Sequence, residues 1–132
     1  MTTRVLIAVG VILLAFFAYA LWTRPPRRLT RLDPGLLGLA GPAIVQFSTP
    51  SCGPCRSARP HLERAAQRAG MAFVQVDVAA RPEVARRYGI RRVPTIAVAE
   101  RTGRVLRAWT GLPHQGELAA VAARAVGLTQ PG

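Results

Sequence analysis

The sequence predicts an α/β fold: a mixed four-stranded sheet flanked by helices, preceded by one N-terminal transmembrane helix. Three observations carry it. Val5 to Trp22 is a run of eighteen residues without a charge. From Ala43 onward, short β-rich runs and helical patterns follow the order strand–helix–strand, helix, strand–strand–helix. Cys52-Gly53-Pro54-Cys55 falls between the first strand and first helix of that series, at the carboxyl end of a strand, where such sheets gather their reactive groups.

At about 1.5 Å per residue, a helix over Val5 to Trp22 is about 27 Å long, close to the ~30 Å hydrocarbon core of a bilayer. Phe16, Phe17, Tyr19 and Trp22 gather at its C-terminal end, as aromatic residues do at a membrane interface. Ala18-Tyr19-Ala20 also fits a signal-peptidase site with Val5 to Phe17 as the apolar region, but only Arg4 and the α-amino group precede that region. Arg24, Arg27, Arg28 and Arg31 follow at once, and such a cluster resists translocation. The reading adopted is an uncleaved, single-pass anchor over 1–23 in the cell membrane, with the rest of the chain on the cytoplasmic face; an extracytoplasmic placement is the alternative. Residues 24–42, with Pro25, Pro26, Pro34, Gly35, Gly38 and Gly41, read as a basic Pro/Gly-rich linker along the headgroups, with a short helical turn around Leu36 and Leu37.

The domain is expected over 43–128, with 129–132 as a tail. Ile44 to Ser48 reads as the first strand and Cys52 to Ala69 as a helix, with Pro60 removing one backbone hydrogen bond inside it and Gly70 capping it. Ala72 to Val78 is β-rich. Arg81-Pro82 starts a short helix through Tyr88, and Gly89 stops it. Thr95 to Ala99 and Arg104 to Thr110 pair antiparallel about Arg101-Thr102-Gly103. Leu118, Val121, Ala122 and Ala125 mark a closing amphipathic helix from His114 to Val126. The first crossover requires parallel neighbours and the hairpin adds an antiparallel edge, so the sheet is mixed.

Half of the residues are hydrophobic, which argues against a disordered chain. All eighteen basic residues are arginine against six acids, a formal charge of +12. That charge attracts anionic headgroups, nucleic acid or an acidic partner. No aromatic residues interleave with the arginines of the domain and no nucleic-acid motif is present, so no specific nucleic-acid partner is expected.

The two cysteines form one pair, which suits a redox centre rather than a disulfide scaffold. Two thiols two residues apart on the first turn of a helix meet unpaired N–H groups and the positive end of the helix dipole, which favour a thiolate. Cys52, the more exposed in such an arrangement, is the nucleophile; Cys55 lies one turn further in and is placed to attack a mixed disulfide at Cys52. A closed zinc site needs four ligands, and neither His61 nor His114 has the spacing of a Cys/His zinc pattern. A purely structural bridge is disfavoured because so small a loop removes little chain entropy. Two ordinary buried cysteines fit poorly with Gly53 and Pro54 between them. Arg56 and Arg59 either stabilise the thiolate as nearby cations or face solvent. His61 and His114 read as surface residues, and Asp77 as a structural hydrogen-bonding group.

Cys52-Gly53-Pro54-Cys55, Pro60 five residues later, Tyr88 to Thr95, and Gly111 together resemble the thioredoxin family over Ala43 to Gly127. The resemblance implies a thioredoxin-like fold and a thiol–disulfide oxidoreductase. It implies that Pro94 is cis and faces the Cys52–Cys55 pair, leaving the Val93 backbone to pair with an extended substrate. It also places Gln46 where the family has a buried aspartate, Gln75 where it has a lysine, and Ser51 where it has a tryptophan. A glutamine cannot titrate, so the family's proton relay is absent or replaced. The implied catalytic residues are Cys52 and Cys55, with Val93 and Pro94 binding substrate and Gly53, Pro54 and Arg56 supporting the site. The implied partners are a disulfide-containing protein substrate and an unidentified electron donor, with no cofactor or metal. A redox-sensing module that binds a partner at the membrane, with weak or no reductase activity, is the rival reading.

Overall fold

Residues 1–24 and 29–129 are described by the computed structural model; Pro25, Pro26, Arg27 and Arg28 of the basic run, and Gln130 to Gly132 of the tail, lie outside them. The apolar N-terminal run forms α1 (Thr2–Trp22), none of whose residues is buried against the rest of the chain. Its length and composition meet the requirement for a membrane span, which a signal sequence also meets.

After α1 come α2 (Pro34–Leu37), β1 (Ala43–Ser48), α3 (Gly53–Ala69), β2 (Ala72–Asp77), α4 (Pro82–Tyr88), β3 (Thr95–Ala99), β4 (Val105–Thr110) and α5 (Gln115–Thr129). The strands form one sheet in the order β2-β1-β3-β4. The first pair is parallel and the other two antiparallel, the mixed sheet that the element order requires.

Alternation along β1 sorts the core into two layers. Ala43, Val45 and Phe47 face a cluster with Val84 and Tyr88 of α4, where the Phe47 and Tyr88 rings lie 6.2 Å apart. Ile44 faces the other layer, with Ala58, Leu62 and Ala66 of α3 and Leu118, Val121, Ala122 and Ala125 of α5. All six residues of β1 are buried, because this strand is central and covered on both faces.

Element ends differ from expectation by a residue or two. Cys52 is not the first helical residue but the cap of α3, extended at φ −80°, with its sulfur accepting the Cys55 N–H. Asp77 ends β2 because its carboxylate takes the N–H groups of Ala79 and Ala80 and turns the chain. In β4 the register shifts between Val98 and Ala99, so Leu106 is an extra residue opposite β3.

The larger correction concerns 24–42. From Leu29 on, this stretch packs into the domain rather than running as a loose linker. Leu29, Leu32 and Leu37 are buried in the layer that holds Phe47 and Tyr88. Arg31 bridges to Arg104, the Leu32 N–H donates to the Gly103 carbonyl at 2.7 Å, and the Val105 N–H donates to the Thr30 carbonyl at 2.9 Å. Asp33 caps α2 through its carboxylate, and its own N–H donates to the Tyr88 hydroxyl at 2.9 Å. Gly103 makes the approach possible: its φ is +91°, and a Cβ there would overlap the Leu32 carbonyl. The expected helical turn at Leu36 and Leu37 is α2.

Candidate active site

β1 delivers the chain to the carboxyl end of its strand, and Thr49 to Ser51 turn it into α3. The turn is held by the Cys52 N–H donating to the Thr49 carbonyl at 3.2 Å. Cys52 and Cys55 are joined by a disulfide, with Cα atoms 5.3 Å apart. Cys52 Sγ also accepts the Cys55 N–H at 3.1 Å, satisfying one of the free donors at the start of a seventeen-residue helix. The same donor and the helix dipole would stabilise a negative charge on that sulfur. Cys52 is 8% exposed and Cys55 1%, so Cys52 is the more accessible of the two.

Gly53 and Pro54 fill the first two helical positions, where proline loses no hydrogen bond. Arg56 is exposed on the same turn. Arg59 is drawn into an exposed ion pair with Glu63 at 2.8 Å, which leaves Arg56 as the nearer cation without an acidic partner among the described residues. Val93-Pro94 is a cis peptide. The antiparallel register pairs Thr95 with Phe47, so the start of β3 lies beside the end of β1, and Val93 and Pro94 share the sheet edge from which the chain runs on to Cys52. Pro94 is buried, its carbonyl accepting the Gly111 N–H at 2.8 Å; Val93 is half-buried and precedes the strand ladder.

Beneath the disulfide lies Gln46, fully buried on β1. Its Nε2 donates to the Cys55 carbonyl at 3.0 Å, while its Oε1 is sealed from solvent with no partner among the described residues. Gln75, opposite Gln46 on β2, donates instead to the Ser48 hydroxyl at 2.9 Å. No titratable group occupies either position. The buried Trp109 Nε1, on β4 opposite Ile96, also lacks a partner among the described residues.

The remaining candidates stand apart. His61 and His114 belong to the surface of α3 and the approach to α5: His61 Nδ1 lies 3.0 Å from Arg64 Nη2, and His114 Nδ1 accepts the Gly116 N–H at 3.3 Å. His61, Arg64, Arg68, Gln115 and Leu118 line a groove of about 560 Å³ between α3 and α5 that includes neither cysteine. Sequence reasoning missed the Tyr88–Asp33 bond and a contact between Arg92 and Trp22, because both join residues far apart in the chain. The aromatic residue ending the apolar run was visible; its partner was not.

The model of the family described as thioredoxin matches residues 36–124. The chain belongs to the thioredoxin family. Thioredoxin 1 of a Nostoc species is 39% identical over 59 residues, which cover 43% of this chain and 55% of that protein. The chain thus spans about half the length of the curated relatives it matches. Among solved structures, a point mutant of Halobacterium salinarum thioredoxin superposes with a TM-score of 0.62 at 23% identity, covering 74% of this chain and 88% of that one. Fasciola hepatica thioredoxin gives 0.57 at 26% identity, covering 69% and 88%. The thioredoxin match opens at α2, in keeping with a domain that starts before β1.

Proposed function

We propose that this chain is a membrane-anchored thiol–disulfide oxidoreductase that reduces or exchanges disulfides in protein substrates. The observation that carries the proposal is the Cys52–Cys55 disulfide at the head of α3, with Cys52 the less deeply buried of the two. In the dithiol state the Cys52 thiolate attacks one sulfur of a substrate disulfide and expels the other as a thiolate, forming a mixed disulfide. Cys55 then loses its proton and attacks Cys52 Sγ. The second substrate thiolate leaves, and the Cys52–Cys55 bond forms. Two electrons have moved from the protein to the substrate, and a separate electron donor must restore the dithiol. Val93 offers backbone groups to an extended substrate beside Pro94, and Arg56 supports the thiolate. The roles of Gly53 and Pro54 are to start the helix that presents Cys52.

The expected outcome of Cys55→Ser is accumulation of a covalent enzyme–substrate complex through Cys52, visible on non-reducing gels. Cys52→Ser abolishes exchange. An active wild type with no complex trapped by Cys55→Ser would overturn the assignment of the two roles.

Anchoring is supported by α1, uncharged from Val5 to Trp22 and with no residue buried against the rest of the chain. The arginines that follow favour the cytoplasmic face for the domain. In intact cells a membrane-impermeant maleimide should then label the reduced cysteines only after lysis. Labelling before lysis would place the domain outside.

A further inference from the structure

Almost all of α1 stands clear of the domain, but its last turn does not. Thr23 closes the helix, its hydroxyl donating to the Tyr19 carbonyl at 3.1 Å. The guanidinium of Arg92 lies 5.6 Å from the centroid of the Trp22 ring. Arg92 immediately precedes Val93 and Pro94, on the sheet edge that holds the disulfide.

The depth of a tryptophan at the end of a membrane-spanning helix is set by the bilayer: it sits among the lipid headgroups. A guanidinium in contact with that ring stays close to its depth. The guanidinium lies 5.6 Å from the ring, and an extended arginine side chain plus two residues of extended chain reach about 14 Å. Val93 and Pro94 are therefore held within about 20 Å of the depth of the Trp22 ring, beside the membrane surface. Arg24, Arg91 and Arg92 are exposed here, with no acidic partner among the described residues, and complement anionic headgroups. A domain tethered only by a loose chain would sample every height above the bilayer; one held at Arg92 does not.

We propose that the Trp22–Arg92 contact holds the redox end of the sheet close to the membrane surface, so that the substrates are disulfides of membrane-bound proteins exposed next to the headgroup layer. The inference rests on the anchored dithiol chemistry above. The step is unchanged in its balance: the substrate disulfide becomes a dithiol, and Cys52 and Cys55 become the disulfide.

The test uses the full chain, pre-reduced, in vesicles of phosphatidylcholine and phosphatidylglycerol, with rates normalised to the thiols that an impermeant maleimide reaches. The probe is one disulfide peptide in three forms: coupled to lipid through a short spacer, coupled through a long flexible spacer, and free in solution. The wild type should reduce the short-spacer form on the order of tenfold faster than the long-spacer form, as expected when substrate and site share a confined layer. Trp22→Leu, and independently Arg92→Gln, should erase that preference while the free peptide is reduced at the wild-type rate. Equal wild-type rates on the two tethered forms would overturn the proposal, as would a preference that survives both substitutions. A wild type that fails on all three forms would overturn the oxidoreductase reading itself, an outcome separate from loss of the spacer preference.

Discussion

Gln46 sets the character of the site at the scale of one residue. Its amide ties β1 to the first turn of α3 through the Cys55 carbonyl, and it cannot exchange a proton. Replacing it by aspartate would put a carboxyl group where no solvent reaches, and desolvation raises the pKa of such a group. The folded protein would then hold a proton that the unfolded chain, with an aspartate pKa of about 3.9, releases. Stability of Gln46→Asp should therefore fall as pH rises above about 4, levelling off once the folded-state pKa is passed. Denaturant midpoints of both proteins between pH 4 and 8 check this; a variant that parallels the wild type throughout would show that the position is hydrated. The cysteine pair and the missing charges at Gln46 and Gln75 were legible in the sequence. The bond from Gln46 to the Cys55 carbonyl was not, because it depends on how α3 docks on the sheet.

Among the elements, the stretch from Leu29 to Leu37 behaves unlike its composition. Prolines, glycines and arginines gave it the look of a linker, and its leucines follow neither a helical nor a strand period. They are buried by position: the hairpin of β3 and β4 and the Tyr88 hydroxyl supply partners from the other end of the domain. The order of the other elements was legible from periodicity and from the stop signals at Gly70 and Gly89. Gly103→Ala tests the difference. The added methyl would meet the Leu32 carbonyl at a backbone angle that disfavours a side chain, so a loss of about 2 kcal/mol or more is expected in chemical denaturation. Leu32→Ala should cost about 2–5 kcal/mol, as deletion of a fully buried leucine does. If both variants unfold with the wild type, the segment is not part of the cooperative unit.

Over the whole molecule, charge is the dominant asymmetry. Asp33, Glu63, Glu83 and Glu117 all sit in exposed ion pairs with arginine, and the formal charge is still +12. Pairs of that kind add little stability, so the arginines act mainly on what approaches the surface. The domain without α1 should bind vesicles containing anionic lipid at low ionic strength and leave them as salt rises past about 0.15 M, where the screening length is about 8 Å. Binding to neutral vesicles, or insensitivity to salt, would count against an electrostatic surface.

Both cysteine sulfurs are spent in one bond, and no free cysteine remains. The oxidised molecule is therefore silent toward thiol-alkylating reagents, and the fully reduced one takes up two alkyl groups. A chain with a single alkyl group has one sulfur occupied by another partner. Intact mass after alkylation thus counts the three redox forms in one spectrum, and the middle form marks a molecule caught in the act of exchange.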